Sequence, residues 1–126
     1  MRKALVVFVS GLFVVFGLST VTCAQQDVAA DPRHHKLEFE NNCVRVVRVN
    51  YAPHEKADAM FDAQAVVLVS LTGSQGLKLS FPDGSSVTTP ANYPGQVIWA
   101  PKGRIWPENI GDMRVEFIVI EPKGCN

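Results

Sequence analysis

The stretch from Gly95 to Asn109 restricts this chain more than any other. Val97-Ile98-Trp99-Ala100 is a short apolar strand that meets Pro101-Lys102-Gly103 and returns towards Asn109. Proline lacks the N–H that a ladder needs, and glycine takes up the positive φ of a tight reversal. Pro101 therefore ends the strand, and Gly103 is expected to turn it. A chain that stops and turns back after four residues has no room there for a helix.

The same grammar recurs along the sequence. Leu37-Glu38-Phe39-Glu40 alternates apolar and acidic residues, as a half-buried strand does, and Asn41-Asn42 is a turn. Val44 to Tyr51 is a β-branched strand whose alternation slips between Val46 and Val47, which implies a bulge there or burial on both faces. His54 to Ala63 has no pattern and reads as a loop, whereas Ala65 to Leu71 is a continuous apolar run suited to an inner strand. Leu77, Leu79 and Phe81 share one face of the next strand. Pro82-Asp83-Gly84 is a strong hairpin signal, with Ser86 to Thr89 returning as an edge strand. Asn109 to Asp112 is a turn, and Met113 to Glu121 closes the domain with Met113, Val115, Phe117 and Val119 on one face. Without helical periods or internal repeats, this spacing describes an antiparallel sandwich or barrel.

The domain is expected over residues 36–122, after a leader and before a short tail at 123–126. Arg2 and Lys3, an apolar run from Ala4 to Val21 and the small-residue ending Thr22-Cys23-Ala24 have the order of a signal peptide cut after Ala24. A retained anchor or a lipid-modified Cys23 are the competing readings. Secretion or a periplasmic location follows from cleavage, with no membrane span retained afterwards. Residues 25–35 read as a flexible polar lead. His34 and His35 at its end read as solvated strand-edge residues, because neighbours on a strand point to opposite sides.

Acidic and basic side chains balance over the whole chain, with a slight acidic excess once Arg2 and Lys3 are removed. No basic stripe remains to suit nucleic acid. Cys43 and Cys125 are the cysteines left after the leader. An oxidising compartment would let them bridge if the strands beginning at Val44 and ending at Glu121 lie antiparallel; a pair of free thiols is the alternative.

Residues from about Lys36 to Pro122 resemble a small single-domain cupin of the RmlC-like kind, a jelly roll or double-stranded β-helix. The resemblance rests mainly on Gly95, Pro101, Gly103 and Asn109, which follow the second cupin motif, with Glu108-Asn109 matching a pair common after its histidine. The first motif begins at His54 in place of a glycine and ends at Gly73. The resemblance implies metal ligands at Met60, Asp62, Val66 and either Ile105 or Trp106. Of these residues only Asp62 is a conventional ligand, so no metal or other cofactor is expected.

By the same resemblance, Met60, Asp62 and Gln64 look into the barrel, met by Phe81, Trp99 and Ile105 or Trp106. Such an apolar, aromatic-lined pocket with a few polar groups suits a small molecule, and a solidly packed core would have the same composition. The leading reading is an exported, metal-free cupin-like domain of the cell envelope that binds a small molecule without catalysis. The alternative is an isomerase- or oxygenase-type enzyme using Asp62 or His54. An interaction module, such as a homodimer formed through an exposed face, is the third class.

Overall fold

The computed structural model of the protein describes residues 26–125. The leader expected over 1–24 lies outside the described residues. A short helix, α1 (Gln26–Ala30), is followed by β1 (His35–Glu40), β2 (Val44–Tyr51), β3 (Phe61–Ala63), β4 (Val66–Ser70) and β5 (Leu77–Ser80). Then come β6 (Ser86–Thr88), β7 (Val97–Ala100), β8 (Gly103–Asn109) and β9 (Val115–Pro122). All pairing is antiparallel, in one sheet ordered β1-β2-β9-β4-β7 and a second ordered β3-β8-β5-β6.

The centre of the larger sheet is the pairing of β2 with β9, which runs unbroken from Val44 opposite Pro122 to Tyr51 opposite Val115. Residues directly opposite share a face. Val47, Val49 and Tyr51 thus point inward with Val119, Phe117 and Val115, and most of these form the buried core. The phase slip at Val46-Val47 is absorbed by the partner strand. The register shift lies in β1 between Leu37 and Phe39, opposite Val47 and Val46, so Glu38 is the extra residue.

The hairpin at Pro82-Asp83-Gly84 forms as expected. Gly84 has φ +85°, its N–H donates to Phe81 O, and the Phe81 N–H donates to Ser85 O. β6 is an exposed edge strand.

Several expectations need correction. Gly103 is not among the glycines at positive φ; Gly95, at +83°, is. The reason is topological: β7 and β8 belong to different sheets, so Pro101-Lys102 links the two layers instead of closing a hairpin. β8 continues through Pro107, whose carbonyl accepts from the Ala57 N–H. In a strand a residue's N and O point the same way, so the donor that proline lacks faces this loop and not β5. Part of the segment read as loop forms β3. The expected flexible lead contains α1, and Asp31 just after it is fully buried.

Cys43 and Cys125 form a disulfide with Cα atoms 4.5 Å apart. The β2–β9 register brings them together, since Val44 lies opposite Pro122 and the Lys123 N–H donates to Cys43 O. The bridge closes a long loop, with a sequence separation of 82. Cys125→Ser is therefore expected to destabilise the domain by about 2–5 kcal/mol in urea unfolding; an unchanged midpoint would remove the bridge from the stability account.

Candidate functional site

Between the two sheets lies a cavity of about 390 Å³. Its wall is mainly aliphatic and aromatic, with Leu68, Phe117 and Val119 from the larger sheet and Leu77, Leu79 and Ile105 from the smaller. Strand alternation produces this directly. Leu77 and Leu79 share parity on β5, with Phe81 just beyond it, and all three line the cavity.

The two ends of the barrel differ. One is closed by Asn109, which is fully buried. Its amide donates to Ala52 O at 3.0 Å, to Met113 O at 2.8 Å and, more weakly, to Tyr51 O at 3.4 Å, while its side-chain oxygen accepts from Gly111 N–H at 3.0 Å. One carboxamide thereby ties together the ends of β2, β8 and β9. At the other end two interlayer links run side by side, with Ala63 opposite Gly103 and Val66 opposite Ala100. Gln64 and Lys102 line the cavity here with Asp62 at its rim, and the exposure of Lys102 carries it out to solvent. Glu121, close by in the ladder, also lines it and accepts from Arg45 Nη1 at 3.2 Å.

Of the residues expected to form the pocket, Gln64, Phe81 and Ile105 line it, and Asp62 only borders it, because its register position opposite Arg104 is on the outer face while Phe61 and Ala63 turn inward; Met60 and Trp106 do not line it. Ile105 and Trp106 have opposite parity on β8, so one must turn away. Trp106 packs on the outside, where its Nε1–H donates to Ala57 O at 2.7 Å and Lys56 Nζ lies 3.4 Å from its ring centroid. Trp99 borders the cavity, but its register position opposite Val67 is on the outer face, and it is 62% exposed. His54 is also elsewhere. It lies on the surface at φ 59°, with Nε2 2.7 Å from Asp112 Oδ1, so the part of the enzyme reading that rests on His54 loses its geometric basis.

His35, Tyr51, Thr89 and Glu121 complete the polar part of the lining. Sequence reasoning passed over them, although Tyr51 shares parity with Val47 and Val49, as Glu121 does with Phe117 and Val119. Period two alone was enough to find both. His35 was misread as solvated. It and His34 are 4% and 2% exposed, because Asp31 supplies the polar partners that burial demands. Asp31 Oδ1 lies 2.7 Å from His34 Nδ1, the Asp31 carbonyl 3.1 Å from His35 Nδ1, and Oδ2 accepts from Asp58 N–H at 3.1 Å. The His35 ring also stands edge-on to Phe61, with centroids 4.9 Å apart. His34 Nε2 is 3.1 Å from Glu55 Oε1, at ion-pair distance but misaligned as a hydrogen bond.

A metal centre in the barrel needs three or four donors that converge on one point. Among the described residues, Asp31, His34 and Asp58 are the one group of three such donors near enough to share an ion. None of them lines the cavity. Each already has a partner in the cluster just described or, for Asp58, in Arg33. The donors that do line the cavity do not converge, so the residues present do not fit the metal centre that the fold family implies.

A cupin domain from Bordetella pertussis superposes with a TM-score of 0.61 at 25% identity, over 71% of this chain and 92% of the other. The chain has the cupin fold. An RmlC-like cupin from Methanocaldococcus jannaschii, described as a double-stranded β-helix, gives 0.54 at 15% identity over 71% and 78% of the two chains. A double-stranded β-helix protein from Klebsiella pneumoniae gives 0.50 at 16% identity over 73% and 78%. No family model matches the sequence, and no curated protein is similar to it. No helix of the described residues is long and apolar enough to cross a membrane.

Beside this cupin barrel, the Ala52 N–H donated to the Glu55 carboxylate holds its pKa below the ordinary range, partly opposed by burial and assisted by His34 and Arg33. A carboxylate depressed on folding stabilises above its unfolded pKa, and that contribution is lost as pH falls through its lower native value. Glu55→Gln is expected to flatten the fall of stability on the acid side of the carboxylate range. Equal slopes for mutant and wild type in acid urea titrations would contradict it.

Proposed function

We propose that this cupin-fold domain is an exported small-molecule binding protein of the cell envelope, acting without catalysis and without a bound metal. One observation carries the reading: an apolar cavity of about 390 Å³ that reaches solvent beside Asp62, Gln64 and Lys102. Pockets of roughly 300–1,000 Å³ that combine an apolar wall with a few placed polar groups are typical of small-ligand sites. The ligand favoured by this lining has an apolar body for the Leu- and Phe-rich interior. It also carries one polar or ionic group to meet the carboxylates and Lys102 at the solvent end. Export is supported by the leader-like order of residues 1–24 and suits the pairing of Cys43 with Cys125. The competing enzyme reading keeps one argument, the place of Asp62 at the rim of the cavity.

A thermal-shift screen of small amphiphiles tests the binding function. A ligand present at about 100 times its Kd is expected to stabilise the protein by about 2.7 kcal/mol. Ile105→Trp, which fills the cavity, should abolish that shift while leaving the far-UV spectrum unchanged. Binding that persists in Ile105→Trp would place the ligand elsewhere, and chemical turnover of a bound amphiphile that Asp62→Asn stops would favour the enzyme. Elemental analysis of protein purified without chelator checks the metal-free part, where a stoichiometric transition metal would overturn it. For export, intact mass should place the mature N-terminus at Gln25; a retained leader would contradict cleavage.

A further inference from the structure

The inner face of β2 and β9 does not stay apolar to its end. Arg45 has the parity of Val47, Val49 and Tyr51, and Glu121, directly opposite it in the ladder, has the parity of Phe117 and Val119. Both are enclosed, at 1% and 7% exposure, and Arg45 Nη1 donates to Glu121 Oε2 at 3.2 Å. Glu121 lines the cavity and Arg45 does not, so the guanidinium stands behind the carboxylate. A buried ion pair often gains nothing over an apolar pair of similar volume. What this one supplies, and an apolar pair would not, is a fixed acceptor on a wall of Leu, Val and Phe. A carboxylate accepts at about four positions, so one guanidinium N–H does not exhaust it. His35, also in the lining, has the same polarity: its Nδ1 lies 3.1 Å from the Asp31 carbonyl, which can only accept. The ring proton is therefore on Nδ1, and the other nitrogen of the neutral imidazole is an acceptor.

We infer, resting on the small-molecule binding function proposed above, that the cavity selects a neutral hydroxyl-bearing guest, a phenol or an alcohol with an apolar body, whose O–H donates to Glu121. Glu121 stands towards the solvent end, so the head group sits near the mouth and the body reaches inward along Val119 and Phe117. A carboxylate guest would set a second negative charge beside Glu121, where the enclosed wall screens it poorly. Lys102, exposed on the β7–β8 link, is screened by water and salt and offsets little of that repulsion. An ammonium guest would meet Glu121 but also Arg45 behind it, after giving up its own hydration. A hydroxyl brings no net charge, costs less to desolvate, and donates in the charge-assisted way that makes hydrogen bonds to carboxylates strong. Glu121 is thus the residue that sets specificity, and Arg45 positions it.

Calorimetric titration of the full chain with three probes of one body tests this: para-hexylphenol, its methyl ether para-hexylanisole, and para-hexylbenzoate. At about pH 8 the phenol is neutral and the benzoate ionised. The phenol is expected to bind at least about 10-fold more tightly than either of the others, as a hydrogen bond to a charged group allows. Removing Glu121 alone would strand Arg45, so the variant combines Arg45→Met with Glu121→Leu, with folding checked by circular dichroism. In it the advantage of the phenol over the anisole should fall below about twofold. The wild-type ranking decides even where the double variant fails to fold. Equal affinity for all three probes would overturn this inference and leave the binding function standing. So would tightest binding of the benzoate, lost in Lys102→Ala, or a phenol advantage that survives the double variant. A cavity that takes other amphiphiles but none of the three overturns this inference alone; one that takes no small molecule overturns both.

Discussion

The pairing of β2 with β9 is the constraint on which the remaining features rest. Eight consecutive partners in one register decide which side chains see the space between the sheets and which see the exterior. Side chains alternate with a period of two, so a slip of one residue would exchange the two sets. It would turn Val47, Val49 and Phe117 out to water. It would also separate Cys43 from Cys125, which meet only because Val44 lies opposite Pro122. The core, the covalent clasp and the outer face thus share a single geometric cause.

What the sequence revealed, it revealed through local rules. The Pro82-Asp83-Gly84 turn, the inward face of Leu77, Leu79 and Phe81, and the edge position of β6 all follow from turn chemistry and alternation within a few residues. The cysteine pairing also emerged, because it needed only the relative direction of two long strands. Where a residue's environment depends on a distant partner, local rules failed. Nothing beside His34 and His35 announces that Asp31 will fold back to meet their rings, and isolated imidazoles are ordinarily solvated. The turn assigned to Gly103 failed for a similar reason: a strand that ends at proline can cross to another layer as readily as reverse in its own.

The candidate site divides along the same line. Apolar wall residues were legible from parity, and Ile105 was distinguished from Trp106 only once the direction of β8 was fixed. The polar residues are scattered over β1, β2, β3, the β3–β4 link, the end of β6, the β7–β8 link and β9, so no short motif contains them. A cupin barrel of this kind keeps the glycine and proline punctuation of the fold while its interior donors stand apart. The buried polar chemistry has gathered instead beside the barrel, around Asp31 and Glu55, where it secures the approach of α1 to β1.

The surplus residue in β1 separates the duties of one strand. His35, before Glu38, takes its orientation from Val49 and belongs to the interior side, and Leu37, opposite Val47, shares its register parity but is 44% exposed. Phe39, after it, is rotated to the exterior side with Val46. The two halves can therefore vary independently, one under the demands of whatever occupies the cavity and the other under those of the outside. Deleting Glu38 would merge them into one regular ladder, with Leu37 opposite Val47 and Phe39 still opposite Val46, at the expense of the contact that Glu38 makes with Arg48.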